Sequence, residues 1–500
     1  MDEEQTLNQA FEAHQAERFS RAKRLYRKLL SANPSHPVAL HYMGLLSYQM
    51  GDAVQSVDLI KKAVEVKPDY LQAHCNLANT LIEMGRAEEA EKSSRAAIAL
   101  DADKVNAHHA LARALHLQGH HSDAIVSCQT ALSLNPNLDS TFETLGHSLR
   151  SLERFDEAVE NYKKAISINP VNPSYFNTIG ETFIQMDQLE NAVRSFQKAI
   201  SLDQESGLLY NNLGTALVML RNYGPAIQSF ENAIALEHDF AMGYQNLANV
   251  LRVVGRADEA IEALEKALKI DPDLSSARHN LDALRGETTE SAPNEYVEEL
   301  FDDFANQFET HLQDKLEYKI PSLLKNVMID KGFTNISYNT VVDMGCGTGL
   351  SGVEFKDIAD TLIGIDLSKN MIEKAKAKAV YDRLEVNDLI NGLNDIDRPI
   401  DLFIATDVFV YIGNLQDTFE AVKKSAAPNA LFIFSTEHLE SDDDFVLQDT
   451  SRYAHSKAYI EGLADQFGFT FEHFETTDLR KDKTGWIPGG VYVLRLGSLF

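Results

Sequence analysis

A glycine-rich segment in the second half of the chain has the residue types of a ligand-binding turn. Residues 341–352 read VVDMGCGTGLSG, a short apolar strand followed at once by glycines. Gly345, Gly347 and Gly349 permit a tight turn and let a ligand approach the bare backbone closely. Asp343, at the end of the strand, adds a carboxylate beside that turn.

Three further acidic residues follow the next predicted strands. Asp366 ends the second strand, where a carboxylate can accept hydrogen bonds from both hydroxyls of a ribose. Asp388 follows the third strand, where a polar group can contact the edge of an adenine, and Asp407 follows the fourth. Because ligands bind beyond the carboxyl ends of strands in open α/β sheets, these side chains are expected to face one crevice.

Two ligands compete for this crevice. Residues 347–352 match the dinucleotide pattern G-x-G-x-x-G, and Asp366 lies at the spacing which that pattern expects. A pyrophosphate, however, is not favoured beside the carboxylate of Asp343. S-adenosylmethionine (SAM) has no phosphate, and acidic neighbours favour its cationic sulfonium and ammonium groups. The acidic residue ahead of the glycines therefore indicates SAM, with a dinucleotide such as NAD as the alternative.

Strands and helices alternate through this half, which predicts an α/β domain with a mostly parallel, doubly wound sheet. The predicted strands are residues 340–344, 361–365, 383–386, 400–405, 430–435, 469–474 and 490–496, the last two as a pair. Ahead of them, residues 296–316 form a predicted helix with one apolar stripe, made of Phe301, Phe304, Phe308 and Leu312. This stripe either packs in the core or forms a lid over a ligand.

The first half of the chain is organised by a 34-residue repeat. Five prolines lie on one grid of that period: Pro34, Pro68, Pro136, Pro170 and Pro272. One equivalent position is always alanine or glycine, at Ala10, Gly44, Ala78, Ala112, Gly146, Gly180, Gly214 and Ala248. Small residues let two helices pack closely, so each unit is predicted to be a pair of helices. Because one pair cannot bury its own apolar face, the units are expected to stack into an all-α solenoid.

Length, charge and cysteine content limit the functional classes. A chain of 500 residues predicts at least two folding units. The net charge of −29 disfavours nucleic acids and anionic membranes as partners. Cys75, Cys128 and Cys346 are too scattered for a disulfide framework or a zinc site, so no metal is expected. Without an apolar run of about 18 residues or an export signal, a cytoplasmic location is expected.

The repeats resemble the tetratricopeptide repeat (TPR), over residues 2–285. This resemblance implies that the concave face of the solenoid binds a peptide or another protein. Asn76, Asn212 and Asn246 occupy one equivalent position, where some TPR proteins hold a peptide backbone through an asparagine ladder. The alternative is that these amides cap or bridge adjacent helices.

Residues 295–500 resemble class I SAM-dependent methyltransferases, on the glycine motif and on IGIDLSKNMIEKA at 363–375. The whole chain is similar to bacterial methyltransferases that fuse TPR repeats to this domain. The additional matching segments are FDDFANQFETHL at 301–312, ATDVFVYIG at 405–413 and RYAHSKAYI at 452–460. The resemblance implies a Rossmann-like fold, SAM as cofactor and methyl transfer.

The resemblance also implies a set of cofactor-binding residues in the glycine loop and after the strands. This set is Asp343, Gly345, Cys346, Gly347, Gly349, Asp366, Leu367, Met371, Asp388, Leu389 and Asp407. Within it the glycines pass under the cofactor, and Asp343 lies near its amino-acid end. Leu367 and Met371 enclose the adenine, and Asp388 meets its amino group with Leu389 alongside. Asp407 lines the crevice for methyl transfer.

Methyl transfer from a sulfonium is a direct displacement, so a general base is needed only if the acceptor must lose a proton. The candidates for such a base are Tyr411, Tyr453 and His455, the last in a predicted helix. Arg452 is a candidate for binding a substrate carboxylate, with a surface ion pair as the alternative.

These inferences predict a TPR solenoid over residues 1–285, a linker at 286–294 and a methyltransferase domain at 295–500. The expected function is methylation of an unidentified acceptor, either a small molecule or a protein-borne group, with the solenoid docking a protein partner. The alternatives are a TPR scaffold whose cofactor domain is catalytically silent and, less favoured, an NAD-dependent oxidoreductase.

Overall fold

The computed structural model describes residues 3–305, 308, 317–481 and 485–497. The chain forms two compact units, Met1–Leu236 and Glu237–Phe500. Within the described residues, no helix has both the length and the apolar character that crossing a bilayer requires.

The first unit consists of paired α-helices, as the repeat predicts. In each pair the first helix has 13 residues and the second has 14. The helices are α1 (Glu3–Gln15), α2 (Phe19–Ala32), α3 (Pro37–Gln49), α4 (Ala53–Val66), α5 (Leu71–Glu83), α6 (Ala87–Leu100), α7 (Val105–Leu117), α8 (His121–Leu134), α9 (Asp139–Ser151), α10 (Phe155–Ile168), α11 (Pro173–Gln185), α12 (Leu189–Leu202), α13 (Gly207–Met219) and α14 (Tyr223–Leu236). Grid prolines such as Pro34 and Pro170 lie in the turns between pairs, where a missing N–H breaks no helical hydrogen bond.

Close packing explains the small residue in the first helix of each pair. A Cβ atom at Gly180 in α11 would lie 2.6 Å from Cε1 of Phe196 in α12. The same clash, at 2.4 Å, would arise between a Cβ at Gly146 and Cε1 of Tyr162. Phe196 and Tyr162 are completely buried. The aromatic ring of the second helix thus fills the space that a larger side chain would take at the glycine of the first helix.

The second unit begins with four helices: α15 (Ala241–Val253), α16 (Ala257–Ile270), α17 (Ser275–Arg285) and α18 (Asn294–Phe304). Gly286 ends α17 in the left-handed region, with φ of 68°. The segment predicted as a linker is bonded to the α/β part of this unit. Ser291 forms a β-bridge with Ile412, and the N–H of Ala292 donates to the carbonyl of Tyr411 at 2.9 Å.

The rest of the second unit is an α/β fold around a nine-stranded sheet. Its strands are β1 (Tyr338–Met344), β2 (Ala359–Asp366), β3 (Arg383–Val386), β4 (Ile400–Ala405), β5 (Ala426–Leu439), β6 (Phe445–Leu447), β7 (Tyr453–Ser456), β8 (Phe469–Lys481) and β9 (Trp486–Leu496). Its helices are α19 (Ile320–Asp330), α20 (Leu350–Phe355), α21 (Lys369–Ala377), α22 (Leu389–Asn394), α23 (Gln416–Ser425) and α24 (Lys457–Phe467).

The strand order β3-β2-β1-β4-β5 is parallel throughout. β9 runs antiparallel to β5, and β8 pairs with β9, which confirms the predicted strand pair at the end of the chain. Side chains of one strand alternate between two apolar cores, with Val341 in one and Val342 in the other. A parallel sheet that is buried on both faces needs strands that carry apolar side chains on both faces. The strand β1 has this character, and the predicted doubly wound sheet is therefore confirmed.

Two short strands were not predicted. β7 pairs with the carboxyl end of β5, and β6 pairs with β7. His455 lies in β7, so its prediction within a helix is wrong; the helix α24 begins only at Lys457. Ser456 explains this boundary, because its side chain accepts a hydrogen bond from the N–H of Tyr459 and caps the helix there.

The glycine–aromatic contact gives a first prediction. Gly180→Val should destabilise the first unit by about 1–3 kcal/mol, because added atoms cannot fit beneath Phe196. Urea unfolding followed by circular dichroism at 222 nm measures the change. Gly224→Ala is the matched control, since no atom lies within 4 Å of a Cβ at Gly224. Equal stability of Gly180→Val and the wild type would contradict the packing argument.

Candidate functional site

A cavity of about 660 Å³ lies in the second unit, beyond the carboxyl ends of the parallel strands. This is the place that the sheet topology predicts for a ligand. Ten predicted site residues line it: Gly345, Cys346, Gly347, Asp366, Leu367, Asp388, Leu389, Asp407, Tyr411 and Arg452. The structure therefore brings together residues that lie more than 60 positions apart in the sequence.

The glycine loop after β1 adopts backbone conformations that favour glycine. The φ angles are 69° at Gly345, 52° at Gly347 and 92° at Gly349. A Cβ at Gly345 would lie 2.6 Å from Cγ2 of Val408, so the loop also passes close to its neighbour. The N–H groups of Gly345 and Cys346 donate to the carbonyl of Ile365, which ties the loop to β2.

Asp366 holds the same loop through its side chain. One carboxylate oxygen accepts a hydrogen bond from the N–H of Gly347 at 2.8 Å, and the other accepts from the N–H of Ser368 at 2.9 Å. Burial raises the pKa of Asp366 to about 6, although these two hydrogen bonds favour the charged form. The carboxylate thus anchors the loop and also lies on the cavity wall.

Asp388, at the start of α22, likewise bonds the backbone and lies on the cavity wall. Its carboxylate accepts hydrogen bonds from the N–H groups of Ile390 at 3.0 Å and Asn391 at 2.9 Å, so it caps the helix. Asp388 and the next residue, Leu389, both line the cavity. This cap fixes the start of α22 and, with it, the positions of the Asp388 and Leu389 side chains.

Three predicted cofactor residues lie behind the cavity wall instead of on it. Asp343 is completely buried and accepts a hydrogen bond from the hydroxyl of Tyr381 at 2.6 Å. Burial raises the pKa of Asp343 to about 7. Met371 is completely buried in α21. Gly349 packs against Tyr381, since an added Cβ would lie only 3.0 Å from the ring atom Cε2. These residues support the loop from behind.

A buried ionic network joins Asp407, on the cavity wall, to Arg480 and Glu437. Asp407 has φ of 57°, a left-handed conformation that is strained for a residue with a side chain. Its Oδ2 accepts a hydrogen bond from Nη1 of Arg480 at 2.5 Å, and Arg480 also bonds Glu437. Burial lowers the pKa of Arg480, but the two carboxylates outweigh burial and raise it above its usual range. Arg480 lies in β8 outside any motif, so the sequence carried no signal for it.

Two polar atoms of residues that line the cavity have no hydrogen-bond partner within the described ranges. They are Oδ1 of Asp407 and Oγ1 of Thr348, both buried. Thr348 belongs to the glycine loop and lines the cavity. Since buried polar atoms are normally bonded, these two are candidates to bind a ligand.

The three candidates for a general base are placed very differently. Tyr411 lines the cavity and packs edge-on against Phe301, with 5.4 Å between ring centroids. Tyr453 is buried away from the cavity lining, and its hydroxyl bonds Thr289 at 2.6 Å. His455 is buried too, and its Nε2–H donates to the carbonyls of Ile412 and Gly413, both at 2.9 Å. Burial lowers the pKa of His455 to about 4, so it stands neutral and turned toward backbone.

Two phenylalanines of the predicted aromatic stripe, Phe301 on α18 and Phe308 beyond the end of that helix, contribute to the cavity wall. Phe301 and Phe308 line the cavity, with ring centroids 5.9 Å apart. Asp302, on the same helix, accepts a hydrogen bond from the N–H of Asn370 at 3.1 Å and so fixes α18 to the start of α21. For these two phenylalanines the position matches the lid interpretation. Leu312 and the side chain of Phe304 lie outside the described residues.

The asparagines of the repeats form hydrogen bonds between neighbouring repeats. Nδ2 of Asn76 lies 2.8 Å from Nε2 of His41, and Nδ2 of Asn212 donates to Oδ1 of Asn177 at 2.9 Å. Asn246 occupies the equivalent position in α15. For Asn76 and Asn212 the geometry is that of the alternative interpretation, in which the amides bridge adjacent helices.

Several cavity residues were missed by the sequence analysis because they lie outside the strand-end motifs. Those on the wall are Glu290, Asn294, Tyr318 and Arg480. Glu290 and Asn294 fall in or beside the predicted linker, which here forms part of the wall. As for metals, the described ranges contain no group of three or more His, Cys, Asp or Glu side chains that could hold an ion.

The ionic network gives a second prediction. Arg480→Gln should destabilise the second unit by about 3–5 kcal/mol, because it leaves the carboxylates of Asp407 and Glu437 without a counter-ion. Trp486, the one tryptophan of the chain, reports unfolding of this unit by fluorescence during urea titration. The control Arg398→Gln removes an exposed arginine and should change stability by less than about 1 kcal/mol. An Arg480→Gln protein as stable as the wild type would rule out a stabilising role for the network.

Family models match both parts of the chain. A model described as a methyltransferase domain matches residues 337–481. Models described as the TPR or tetratricopeptide repeat match residues 59–92, 105–138, 146–187, 173–206 and 241–274.

Curated relatives match part of the second half. A Malonyl-[acyl-carrier protein] O-methyltransferase of Priestia megaterium is 32% identical over 100 residues, which are 19% of this chain and 36% of the relative. A Ubiquinone biosynthesis O-methyltransferase of Rickettsia bellii is 26% identical over 124 residues, 24% of this chain and 52% of the relative. The chain thus spans between about a third and a half of the length of these relatives.

Solved structures also show similarity. A crystal structure of MamA has 23% identity and a TM-score of 0.31, covering 32% of this chain and 95% of MamA. The crystal structure of the APC/C hetero-tetramer Cut9-Hcn1 has 20% identity and a TM-score of 0.40, covering 56% of this chain and 55% of the matched chain. From the family models and the curated relatives together, the prediction is confirmed: this chain joins tetratricopeptide repeats to a methyltransferase domain.

Proposed function

We propose that the cavity binds SAM and that the protein transfers the methyl group of SAM to an acceptor held in the same cavity. One observation carries this proposal. The carboxylate of Asp366 bonds the backbone of the glycine loop directly, and of the two arginines on the described cavity lining, Arg480 is already paired with Asp407 and Glu437. A cationic, phosphate-free ligand is favoured there, whereas the pyrophosphate of a dinucleotide is not.

The residues present fit this cofactor. The bare backbone at Gly347 leaves room, since the nearest atom to a Cβ there is Cε1 of Phe308 at 3.7 Å. Thr348 and Asp407 each supply a buried oxygen that lacks a partner among the described residues. We propose that Asp366 binds the ribose, that Asp388, Leu367 and Leu389 surround the adenine, and that Asp407 lies at the methyl-transfer end. When bound, SAM supplies an electrophilic methyl group on a sulfonium.

The residues of the chain align the reacting atoms, shield them from water and transfer any proton. Displacement at a methyl carbon requires alignment of the reacting atoms, and holding them in place can lower a barrier by about 7–11 kcal/mol. Phe301 and Phe308 line the cavity with apolar rings, and we propose that these rings exclude water from the bound reactants. Of the three predicted bases, Tyr411 alone stands on the cavity wall, so any proton transfer by these residues is assigned to its hydroxyl.

The acceptor and the partner are part of the same proposal. The two relatives are named as O-methyltransferases, so we propose an oxygen atom as the methyl acceptor. We further propose that the TPR repeats dock a protein, either the substrate itself or a carrier of the substrate, in the cytoplasm. The proposed division of labour is a TPR solenoid at 1–285, a connecting segment at 286–294 and a catalytic domain at 295–500.

The cofactor proposal is tested by isothermal titration of the full chain with SAM and with NAD. SAM should bind and NAD should not. Asp366→Ala should lower SAM affinity at least about tenfold, since both the ribose contact and the anchor of the glycine loop are lost. Asp382→Asn is the matched control, because Asp382 also accepts a backbone N–H, that of Leu362, but lies off the cavity lining. NAD binding, or full SAM affinity in Asp366→Ala, would contradict the assignment.

The affinity for SAM should depend on pH. Because burial raises the pKa of Asp366 to about 6, this carboxyl loses its charge as the pH falls through 6. Asp343, with a pKa raised by burial to about 7, changes in the same direction. Loss of these negative charges weakens attraction for the sulfonium, so affinity should be constant above about pH 7.5 and fall up to about tenfold per pH unit below 6. Titrations from pH 5 to 8 measure this dependence, and a flat profile would contradict it.

A further inference from the structure

Arg452 is a positively charged side chain on the cavity wall, and the proposed SAM site assigns it no contact with the cofactor. Its guanidinium forms no hydrogen bond or ion pair with any residue that the structure describes. The other arginine of the wall, Arg480, is already bonded to both Asp407 and Glu437. Arg452 also lies near enough to Glu437 to lower that carboxyl's pKa, but burial dominates and the pKa of Glu437 is raised.

The topology places Arg452 at the acceptor end of the cavity. Arg452 directly precedes β7, which pairs with the carboxyl end of β5. Asp366 ends β2, and the order β2-β1-β4-β5-β7 separates β2 from β7 by four strand spacings, about 19 Å. The ribose site and Arg452 therefore belong to opposite sides of the sheet edge.

The loop that carries Arg452 is held by the last repeat. Ser451 has φ of 63° and is 1% exposed. Its hydroxyl donates to Oδ1 of Asn280 at 2.6 Å, and its carbonyl accepts from Nε2 of His279 at 3.1 Å. Nη1 of Arg252, in α15, donates to the carbonyl of Asp449 at 2.8 Å and contacts the Ser451 hydroxyl at 3.0 Å. Three side chains of α15 and α17 thus fix the backbone next to Arg452.

We propose that Arg452 binds a carboxylate group of the methyl acceptor, and that the last repeat positions Arg452 for this contact. The inference rests on the proposed function. A guanidinium pairs with a carboxylate through two parallel hydrogen bonds. A phosphate dianion would fit less well, because Glu290, Asp407 and Asp417 also line the cavity, and among the described lining residues Arg452 alone is a free cation to offset them.

The test uses the full chain saturated with S-adenosylhomocysteine and three probes that share one ring: benzoate, benzamide and phenyl phosphate. Benzoate should bind the wild type more tightly than the other two. Arg452→Gln should weaken benzoate at least tenfold, and Arg452→Lys should lie between, because lysine keeps the charge but loses the paired hydrogen bonds. Arg398→Gln is the control and should bind benzoate as the wild type does. Trp486 fluorescence confirms that each variant is folded.

Four outcomes would overturn the proposal: no benzoate binding by the wild type, equal benzoate affinity in Arg452→Gln, tighter binding of phenyl phosphate, or a loss of SAM affinity in Arg452→Gln. The last would place Arg452 on the carboxylate of SAM. Failure of the cofactor proposal is distinguishable, since it appears as a lack of SAM binding by the wild type.

A double-mutant cycle tests the positioning role of the last repeat. Arg252→Gln should weaken benzoate about three- to tenfold in the wild-type background and should have no further effect in Arg452→Gln. The reason is that Arg252 acts on benzoate only through the loop of Arg452. An equal loss in both backgrounds would show a merely structural role and overturn this part of the proposal.

Discussion

The carboxylate of Asp366 is the constraint on which the site depends. It joins the end of β2 to the glycine loop after β1 by accepting the N–H groups of Gly347 and Ser368. A buried carboxylate is costly unless hydrogen bonds satisfy it, and here backbone donors do so in part. The loop consequently has one position relative to the sheet, and its bare backbone forms the floor of the cavity. The same burial keeps the pKa of the carboxyl near 6.

The buried acidic side chains of the second unit are of two kinds, those bonded to a cation and those that are not. Asp407 and Glu437 share one arginine, Arg480, although burial still raises the pKa of Glu437. Asp343 has no cationic partner among its bonded groups, and its pKa rises to about 7. The acids in and behind the cavity wall therefore differ in whether a cation is bonded to them.

The repeats contribute more than a separate binding module. Within the first unit, small residues opposite buried rings give each helix pair the same geometry. Within the second unit, α15 and α17 hold the loop at Ser451, and the segment after α17 lines the cavity. The last repeat is thus part of the structure around the cavity, and its side chains bond the backbone next to Arg452.

Periodicity and strand-end motifs were sufficient to predict much of this protein. The alanine, glycine and proline positions of the repeat determine the helix pairs, and the glycines with Asp366 and Asp388 indicate the cavity, because these features depend on neighbours close in sequence. Tertiary structure alone decided the rest. Arg480 meets Asp407 across 73 positions, and His455 points to backbone carbonyls of a distant turn. Residues 286–294 look like a linker because they are polar, but they pair with the turn near Ile412. Contacts of this kind leave no local pattern, since each depends on two segments that only the folded sheet brings together.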